Sequence, residues 1–277
     1  MRTVEPHDHP LTTVGRAGGE ETGPDGRGDL SPSGDDLNLS SAMTVIVGIA
    51  ARDGCVLVGD RMGLDWANQT KRENVEKLYK IGRNVAVGVA GSGDTTTHYL
   101  SEAGYIGSDE VFKPSARADQ VANLLRKAFL GKVLSPQWWE GEEERIQHLG
   151  KPFNHDPQMH TLIAGFDEGP TLCYIDQKAA FVPGNSQVTH GIGIPHWTNP
   201  LLPHIYPGKA ADHSLEEAIR AALFAAYLTT RMSPFAGGGF DVMTVTAEGV
   251  VPLPFEDVNG LVSTADRVFR KWIRAAS

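Results

Sequence analysis

The chain has 277 residues, of which 40% are hydrophobic and 21% charged, and its formal net charge is −9 at neutral pH. This composition is typical of one large or two small globular domains, and the acidic balance argues against nucleic acid or a membrane surface as a partner. No run of about 18 apolar residues is present, which argues against a transmembrane helix.

The first 43 residues differ from the rest of the chain. They contain no Phe, Trp, Tyr, Ile or Cys, but seven Gly, four Pro and eight acidic residues against three Arg. Such a segment cannot bury enough apolar surface to offset the entropy lost on ordering. We therefore predict a disordered N-terminal extension or propeptide over 1–43 and a folded domain over 44–277.

Strand patterns open the folded part. Four runs are β-branched or apolar, and an Arg-Asp-Gly turn joins the first two: TVIVGIAA (44–51), CVLVGD (55–60), VEKLYKI (75–81) and VAVGVAG (85–91). Helical spacing follows over 95–102 and 115–133. The polar stretch 135–158 is an insertion, and its Trp138-Trp139 pair is interpreted as a contact for a neighbouring subunit or as a lid over this chain's own helices.

The second half repeats the change from strands to helices. Residues 159–166 and 171–184 are strand-like, and 214–232 form a helix opened by a Ser214–Glu217 capping box. Residues 240–253 return to strand, and 258–273 form an amphipathic C-terminal helix. Because strands and helices come in groups rather than alternating, we predict a layered α+β fold with helices outside two antiparallel sheets.

Thr44 is the candidate nucleophile. A threonine hydroxyl needs a base within hydrogen-bond reach, and its own α-amine supplies one once the preceding peptide bond is broken. Asp60 ends the second strand and so returns to the end of the sheet where Thr44 lies. Lys77, placed by the pattern in the next strand and held by Asp60, would keep the amine pKa low. The N–H of Gly91 is the candidate oxyanion donor.

These residues carry a resemblance to the proteasome β-subunit family of N-terminal nucleophile hydrolases, which includes the bacterial HslV-type peptidases. The similarity rests on TVIVGIAARDGCVLVGDRM, NVEKLYKI and VAVGVAGSGDTTTHYL, with later support from LIAGFDEGPTLCYID, SLEEAIRAALFAAY and GFDVMTVTAEGV. It implies a four-layer αββα sandwich and the same four catalytic residues, Thr44, Asp60, Lys77 and Gly91. It also implies a first specificity pocket lined by Val75, Tyr79 and Val89.

The resemblance further implies threonine-dependent cleavage of peptides or unfolded proteins inside a homo-oligomeric ring, with no metal or organic cofactor. Related subunits or an ATPase are further partners that the sequence leaves open. The two cysteines, Cys55 and Cys173, are predicted to be buried rather than disulfide-bonded, which favours a cytoplasmic location. The histidine-rich stretches 155–160 and 196–204 lack metal-ligand spacing and are assigned to surface or packing roles.

Three positions depart from the family pattern. Ile192 stands in a Gly-Ile-Gly-Ile turn where active members have serine, and SPFAGGG (233–239) replaces an Asp-x-x-Ser-Gly-Gly signature, with Ser233 or Asp241 as substitutes. Both changes predict slow, altered or absent turnover, so a catalytically silent ring subunit and a small-amide hydrolase stay open as alternatives. The glycines 237–239 are interpreted as a bend into the next strand, since no Lys-Ser/Thr pair follows.

Met43, where the family has Gly, is the third departure. Methionine aminopeptidase removes Met before threonine, so a chain starting at Met43 would expose Thr44 without self-cleavage. We favour this route, and attack of Thr44 on the Met43–Thr44 bond of a true propeptide is the alternative.

Overall fold

The computed structural model describes residues 44–65, 70–91, 100, 117–133, 159–176, 181–182, 189–192, 195–234 and 236–276. Three predicted features lie outside these residues: the extension over 1–43, the insertion over 135–158 with its tryptophan pair, and the helix over 95–102 apart from Leu100.

One five-stranded antiparallel sheet contains both strands of the first hairpin. Its strands are β1 (Ile46–Ala51), β2 (Gly54–Asp60), β10 (Thr189–Ile192), β11 (Phe240–Thr246) and β12 (Gly249–Pro252), in the order β10-β1-β2-β11-β12. Every residue of β1 and β2 is buried. This explains why both strands read as continuous apolar runs, because side chains on the two faces of the sheet are covered.

The second sheet is also antiparallel. Its strands are β5 (Leu78–Ile81), β6 (Val85–Ala90), β7 (His160–Phe166), β8 (Pro170–Ile175) and β9 (Phe181–Val182), in that spatial order. A separate short hairpin of β3 (Gly63–Asp65) and β4 (Thr70–Arg72) follows β2 and precedes β5 in the chain. This hairpin was not predicted.

Helices cover the outer faces of the two sheets. Helix α1 (Ala118–Ala128), continued by a π turn over Phe129–Val133, packs on the second sheet. The first sheet is covered by α2 (Pro195–Ile205) and α3 (Leu215–Met232), and α4 (Phe255–Ala276) packs on α3. The predicted capping box is confirmed, because the Ser214 hydroxyl accepts from Glu217 N–H and the Glu217 carboxylate accepts from Ser214 N–H.

Three buried apolar clusters define the layers. One lies between helices and the first sheet, one between α1 and the second sheet, and the third, which includes Ile46, Leu57, Leu162 and Leu172, lies between the two sheets. The arrangement is helix, sheet, sheet, helix, and the predicted αββα sandwich is confirmed. None of the helices in the described part of the chain is long and apolar enough to cross a membrane.

Two local predictions were wrong. The strand predicted over 75–81 begins only at Leu78, because Asn74 has a positive φ of 65° and Val75 N–H donates to the Arg61 carbonyl outside the sheet ladder. The predicted turn at Ile192 is the end of β10, where Ile192 lies opposite Ile46. The bounds of these strands follow from long-range pairing, which local residue patterns do not contain.

Candidate active site

The carboxylate of Asp60 accepts four hydrogen bonds at the end of the first sheet. Asp60 ends β2 and is 1% exposed. Its Oδ1 accepts hydrogen bonds from Lys77 Nζ at 2.7 Å and Val45 N–H at 2.8 Å, and its Oδ2 accepts from Gly237 N–H at 3.1 Å and Met62 N–H at 3.4 Å. Four donors fix the orientation of this carboxylate, and their hydrogen bonds offset the free-energy cost of removing its charge from water.

Lys77 lies directly before β5 rather than within it, and it is 6% exposed. Its ammonium donates to Asp60 Oδ1 and, at 2.5 Å, to the carbonyl of Met62. Its own carbonyl accepts from Val89 N–H at 3.0 Å, which attaches it to the second sheet. The ion pair therefore joins the two sheets at one end of the sandwich.

Burial acts on the pKa values of both members of this pair. It raises the pKa of Asp60 and lowers that of Lys77, and in each case the charge of the partner acts in the opposite direction. A buried lysine with a close carboxylate is a point charge in a medium of low dielectric constant, where it acts strongly on neighbouring titratable groups.

Thr44 lies at the end of the first sheet where Asp60 also lies. It is 7% exposed and precedes β1 by two residues. The next residue, Val45, holds Asp60 by two backbone bonds: its N–H donates to the carboxylate, and its carbonyl accepts from Asp60 N–H at 3.0 Å. Val45 belongs to the cluster under the helices and Ile46 to the cluster between the sheets, so the alternation of a strand places Thr44 on the inter-sheet face.

Gly91 directly follows β6 and is partly exposed. The preceding Ala90 is buried and lies opposite His160 in β7. Gly91 is thus at the end of the second sheet that carries Lys77, since Val89 and Lys77 are joined by a backbone hydrogen bond. Residues 92–99 lie outside the described part of the chain, and the oxyanion role of Gly91 stays a prediction.

The three predicted pocket residues divide into two groups. Val89 is buried and Tyr79 half-buried, and both pack in the cluster between the second sheet and α1. Val75 lies elsewhere, since a Cβ built on Gly63 would be 2.8 Å from Val75 Cγ2. A pocket shared by all three stays a prediction.

The turn over 237–239 is a component of the site that the sequence analysis interpreted only as a bend. Gly237, Gly238 and Gly239 all have positive φ, at 141°, 70° and 92°. The Arg61 N–H lies within 3.1 Å of the carbonyls of Gly237 and Gly239, while Gly237 N–H donates to Asp60. Three successive glycines leading into a strand were the available signal, because such backbone angles favour glycine.

The two side chains considered as substitutes for the missing signature lie on different elements. Asp241, in β11, forms an ion pair with Arg61, with Oδ1 3.6 Å from Nε. Ser233 ends α3 as its C-cap residue. Ile192 is 1% exposed and belongs to the inter-sheet cluster with Ile46, so a buried methyl group lies where active family members have a hydroxyl.

Among the described residues, no three His, Cys, Asp or Glu side chains are grouped as metal ligands. Two described histidines take part instead in a cluster with Tyr174. The His160 Nδ1 lies 2.6 Å from the Tyr174 hydroxyl, and the His190 ring lies on the Tyr174 ring with centroids 4.2 Å apart.

Comparison with known proteins finds proteasome β subunits among the sequence relatives. The chain is 27% identical over 219 residues to proteasome subunit beta 1 of Thermococcus onnurineus, a match covering 79% of this chain and 96% of the relative. It is 25% identical over 219 residues to proteasome subunit beta of Methanobrevibacter ruminantium, covering 79% and 93%. No protein-family profile matches the chain.

A solved structure shares the fold. Anbu, an ancestral beta-subunit, from Yersinia bercovieri superposes with a TM-score of 0.61 at 16% identity, covering 83% of this chain and 96% of Anbu. At that identity the likeness concerns the fold alone. Together with the sequence relatives, it confirms the predicted resemblance: over most of its length this chain is similar in sequence to proteasome β subunits, and its fold is the proteasome-like sandwich of the N-terminal nucleophile hydrolases.

Proposed function

We propose that this protein is a threonine-type peptidase of a proteasome-like ring, with Thr44 as nucleophile and its α-amine as base. The observation that carries the proposal is the buried Asp60–Lys77 ion pair, which is hydrogen-bonded to the residue after Thr44. A buried ion pair is weak support for stability alone, and its place at the start of β1 favours a catalytic purpose.

In the proposed reaction the amine of Thr44 accepts the hydroxyl proton while Oγ attacks the scissile carbonyl carbon. The oxyanion that forms is held by Gly91 N–H, and the leaving amine takes the proton. The resulting ester on Thr44 is hydrolysed by water, which regenerates the hydroxyl. The positive charge of Lys77 keeps the amine unprotonated at neutral pH, and Asp60 holds Lys77 in position.

A free amine requires cleavage of the Met43–Thr44 bond. Removal of an initiating Met43 achieves this, and so does attack of Thr44 on that bond with loss of residues 1–43. Both routes produce the same active domain over 44–277.

The substrate is a peptide or unfolded protein, and its side chain before the cleaved bond is apolar or small. The aromatic and aliphatic character of Tyr79 and Val89, the predicted pocket residues that pack together, supports this choice. The printed names of the sequence relatives, proteasome subunits, support a homo-oligomeric ring as the working assembly.

One observation favours a second candidate, a ring subunit without catalytic activity. Ile192 fills the inter-sheet core next to Ile46 and offers no hydrogen bond to a terminal amine. In this alternative the Asp60–Lys77 pair serves only to join the two sheets.

Covalent labelling distinguishes the two candidates. Protein beginning at Thr44 is treated with a peptide epoxyketone or boronate, and the adduct is located by intact mass and peptide mapping. The proposal predicts one adduct on Thr44, none in Thr44→Ala, and labelling slowed about 100-fold or more in Lys77→Met. Lys127→Met, at an exposed lysine on α1, is the matched control and keeps the normal rate. A trimmed, folded chain that takes no label supports the silent subunit instead.

A further inference from the structure

The C-terminal helix α4 exposes more apolar surface than its packing requires. Seven large hydrophobic side chains are exposed among the described residues, and four of them lie on α4: Phe255, Val268, Trp272 and Ile273. Their exposed fractions are 55%, 38%, 57% and 53%. Val258 and Ala265 supply the buried face toward α3, and Trp272 packs edge-on against Phe224 of that helix, with ring centroids 5.6 Å apart. Phe255, Val268 and Ile273 are therefore the exposed apolar side chains left outside this contact. An apolar surface of this kind marks an interaction site.

Helical geometry places part of this surface on a single stripe. Eighteen residues make five complete turns, so residues 18 apart share one direction and lie about 27 Å from each other. Phe255 and Ile273 are such a pair, and so are Glu256 and Arg274. All four are exposed. The two pairs are offset by one residue, so they form the two edges of a stripe about 100° wide. This stripe has an apolar and an acidic residue at one end and an apolar and a basic residue at the other.

The middle of the stripe is formed by small or short side chains. Asn259, Gly260 and Ser263 are exposed, and a Cβ added to Gly260 would meet nothing within 4 Å. Another backbone can therefore approach closely at this point. Asp266, which pairs with Arg270 one turn later, and the exposed Arg267 add one charge of each sign near the centre.

The charges at the two ends are complementary to each other. Glu256 and Asp257 lie in the first turn, while Arg270, Lys271 and Arg274 lie in the last two turns. A second copy of the helix laid antiparallel on the first brings each acidic end to the partner's basic end. The same arrangement brings Phe255 opposite the partner's Ile273. A purely acidic or purely basic partner would match one end of α4 and be repelled by the other.

We propose that α4 is a docking surface for α4 of a second copy of this chain, with the two helices antiparallel about a twofold axis near Ser263. Such an interface is isologous, so each favourable contact occurs twice. The proposal does not involve Thr44 and holds whether or not the chain is a peptidase.

Cysteine cross-linking tests both the contact and its direction. The native Cys55 and Cys173 are buried and give little background with a short bismaleimide. Ser263→Cys lies near the proposed axis and is expected to form covalent dimers. In the Glu256→Cys variant the new thiol would lie about 25 Å from its symmetry copy, so this variant is expected not to form covalent dimers with itself. When Glu256→Cys is mixed with Arg274→Cys, however, covalent heterodimers are expected.

The control is Glu168→Cys, at a fully exposed position whose side chain is 93% accessible and far from α4 in sequence. It should give no more dimer than the parent chain. Failure of Ser263→Cys to cross-link would overturn the contact. Cross-linking of Glu256→Cys with itself, in place of the mixed pair, would overturn the antiparallel direction.

Charge reversal tests the electrostatic part by sedimentation equilibrium. Lys271→Glu combined with Arg274→Glu should weaken self-association by roughly tenfold, because both ends of the interface acquire like charges. Adding Glu256→Lys and Asp257→Lys to the same chain restores opposite charges and should recover the affinity. Circular dichroism checks that α4 stays helical in each variant. Equal association of all three proteins would refute the charge pairing.

Discussion

Asp60 shows how one buried carboxylate organises the end of this sandwich. It receives hydrogen bonds from the start of β1, from the residue before β5 and from the turn before β11. The sequence predicted that Asp60 lies close to Thr44, because the first hairpin returns the chain to the same edge of the sheet. The sequence did not predict the hydrogen bond to Asp60 from the backbone N–H of Gly237, which is 177 residues away. Every residue except proline has a main-chain N–H, so the run of three glycines indicated an unusual turn but not the carboxylate that it binds.

His190 is a second buried titratable residue, and its environment predicts a pH dependence of stability. Burial lowers the pKa of His190 from 6.5 to about 4, and the charge of His160 acts in the same direction. The Tyr174 ring covers its face. The unfolded chain therefore binds a proton between about pH 6.5 and 4 that the folded chain does not. This contribution to stability is complete above pH 6.5 and is lost as the pH falls toward 4.

The variant His190→Phe keeps an aromatic ring at this position and removes the titration. Its free energy of unfolding should depend less on pH between 4 and 6.5, by up to about 1.4 kcal/mol per pH unit. Urea unfolding at several pH values measures the slope for both proteins. Above pH 7 the two slopes should coincide, which is the internal control. Parallel curves across the whole range would contradict the assignment of this proton to His190.

At the scale of elements, the turn over 237–239 replaces side-chain chemistry with backbone geometry. Gly238 has a φ of 70°, and a Cβ added there would lie 3.2 Å from the backbone of Arg61 and Met62. An alanine at residue 238 would have a strained backbone conformation, and its methyl group would crowd the backbone that follows β2. The turn can hold Asp60 only because the three residues have no side chains.

Gly238→Ala is therefore expected to lower the free energy of unfolding by about 2 kcal/mol. Because it displaces a donor to Asp60, it should also slow labelling of Thr44. Gly131→Ala is the matched control, since a Cβ added to Gly131 meets nothing within 4 Å. In that helical segment the change should be neutral or stabilising by up to about 1 kcal/mol. Equal effects of the two variants would show that the turn tolerates a side chain.

The elements themselves differed in how well they could be predicted. Helix α3 was predicted with its first residue, because the capping box at Ser214 is a local signal. The strands β1, β2 and β6 were predicted because burial on both faces gives long apolar runs. The hairpin β3–β4 is exposed at Thr70–Arg72 and polar, so its sequence resembles a loop. Edge strand β10 depends on pairing with β1, from which the paired residues are separated by 140 to 146 positions in sequence.

At the scale of the whole molecule, the two sheets are held together by an apolar layer in which Gly48 of β1 admits large side chains from the opposite sheet. A Cβ built on Gly48 would lie 2.7 Å from Leu162 Cδ2 and 2.8 Å from Leu172 Cδ1. Both leucines are buried in the inter-sheet cluster. The absence of a side chain at residue 48 therefore sets the distance between the sheets.

This contact predicts non-additive effects on stability. Leu162→Ala alone should cost about 2–5 kcal/mol through the cavity it leaves, and Gly48→Ala alone about 1–3 kcal/mol through overpacking. In the double variant the new methyl group enters the space left by Leu162, so the total cost should be at least about 1 kcal/mol smaller than the sum. Urea unfolding of the four proteins measures the coupling. Simple additivity would mean that the sheets separate to relieve the clash, and that Gly48 does not set their spacing.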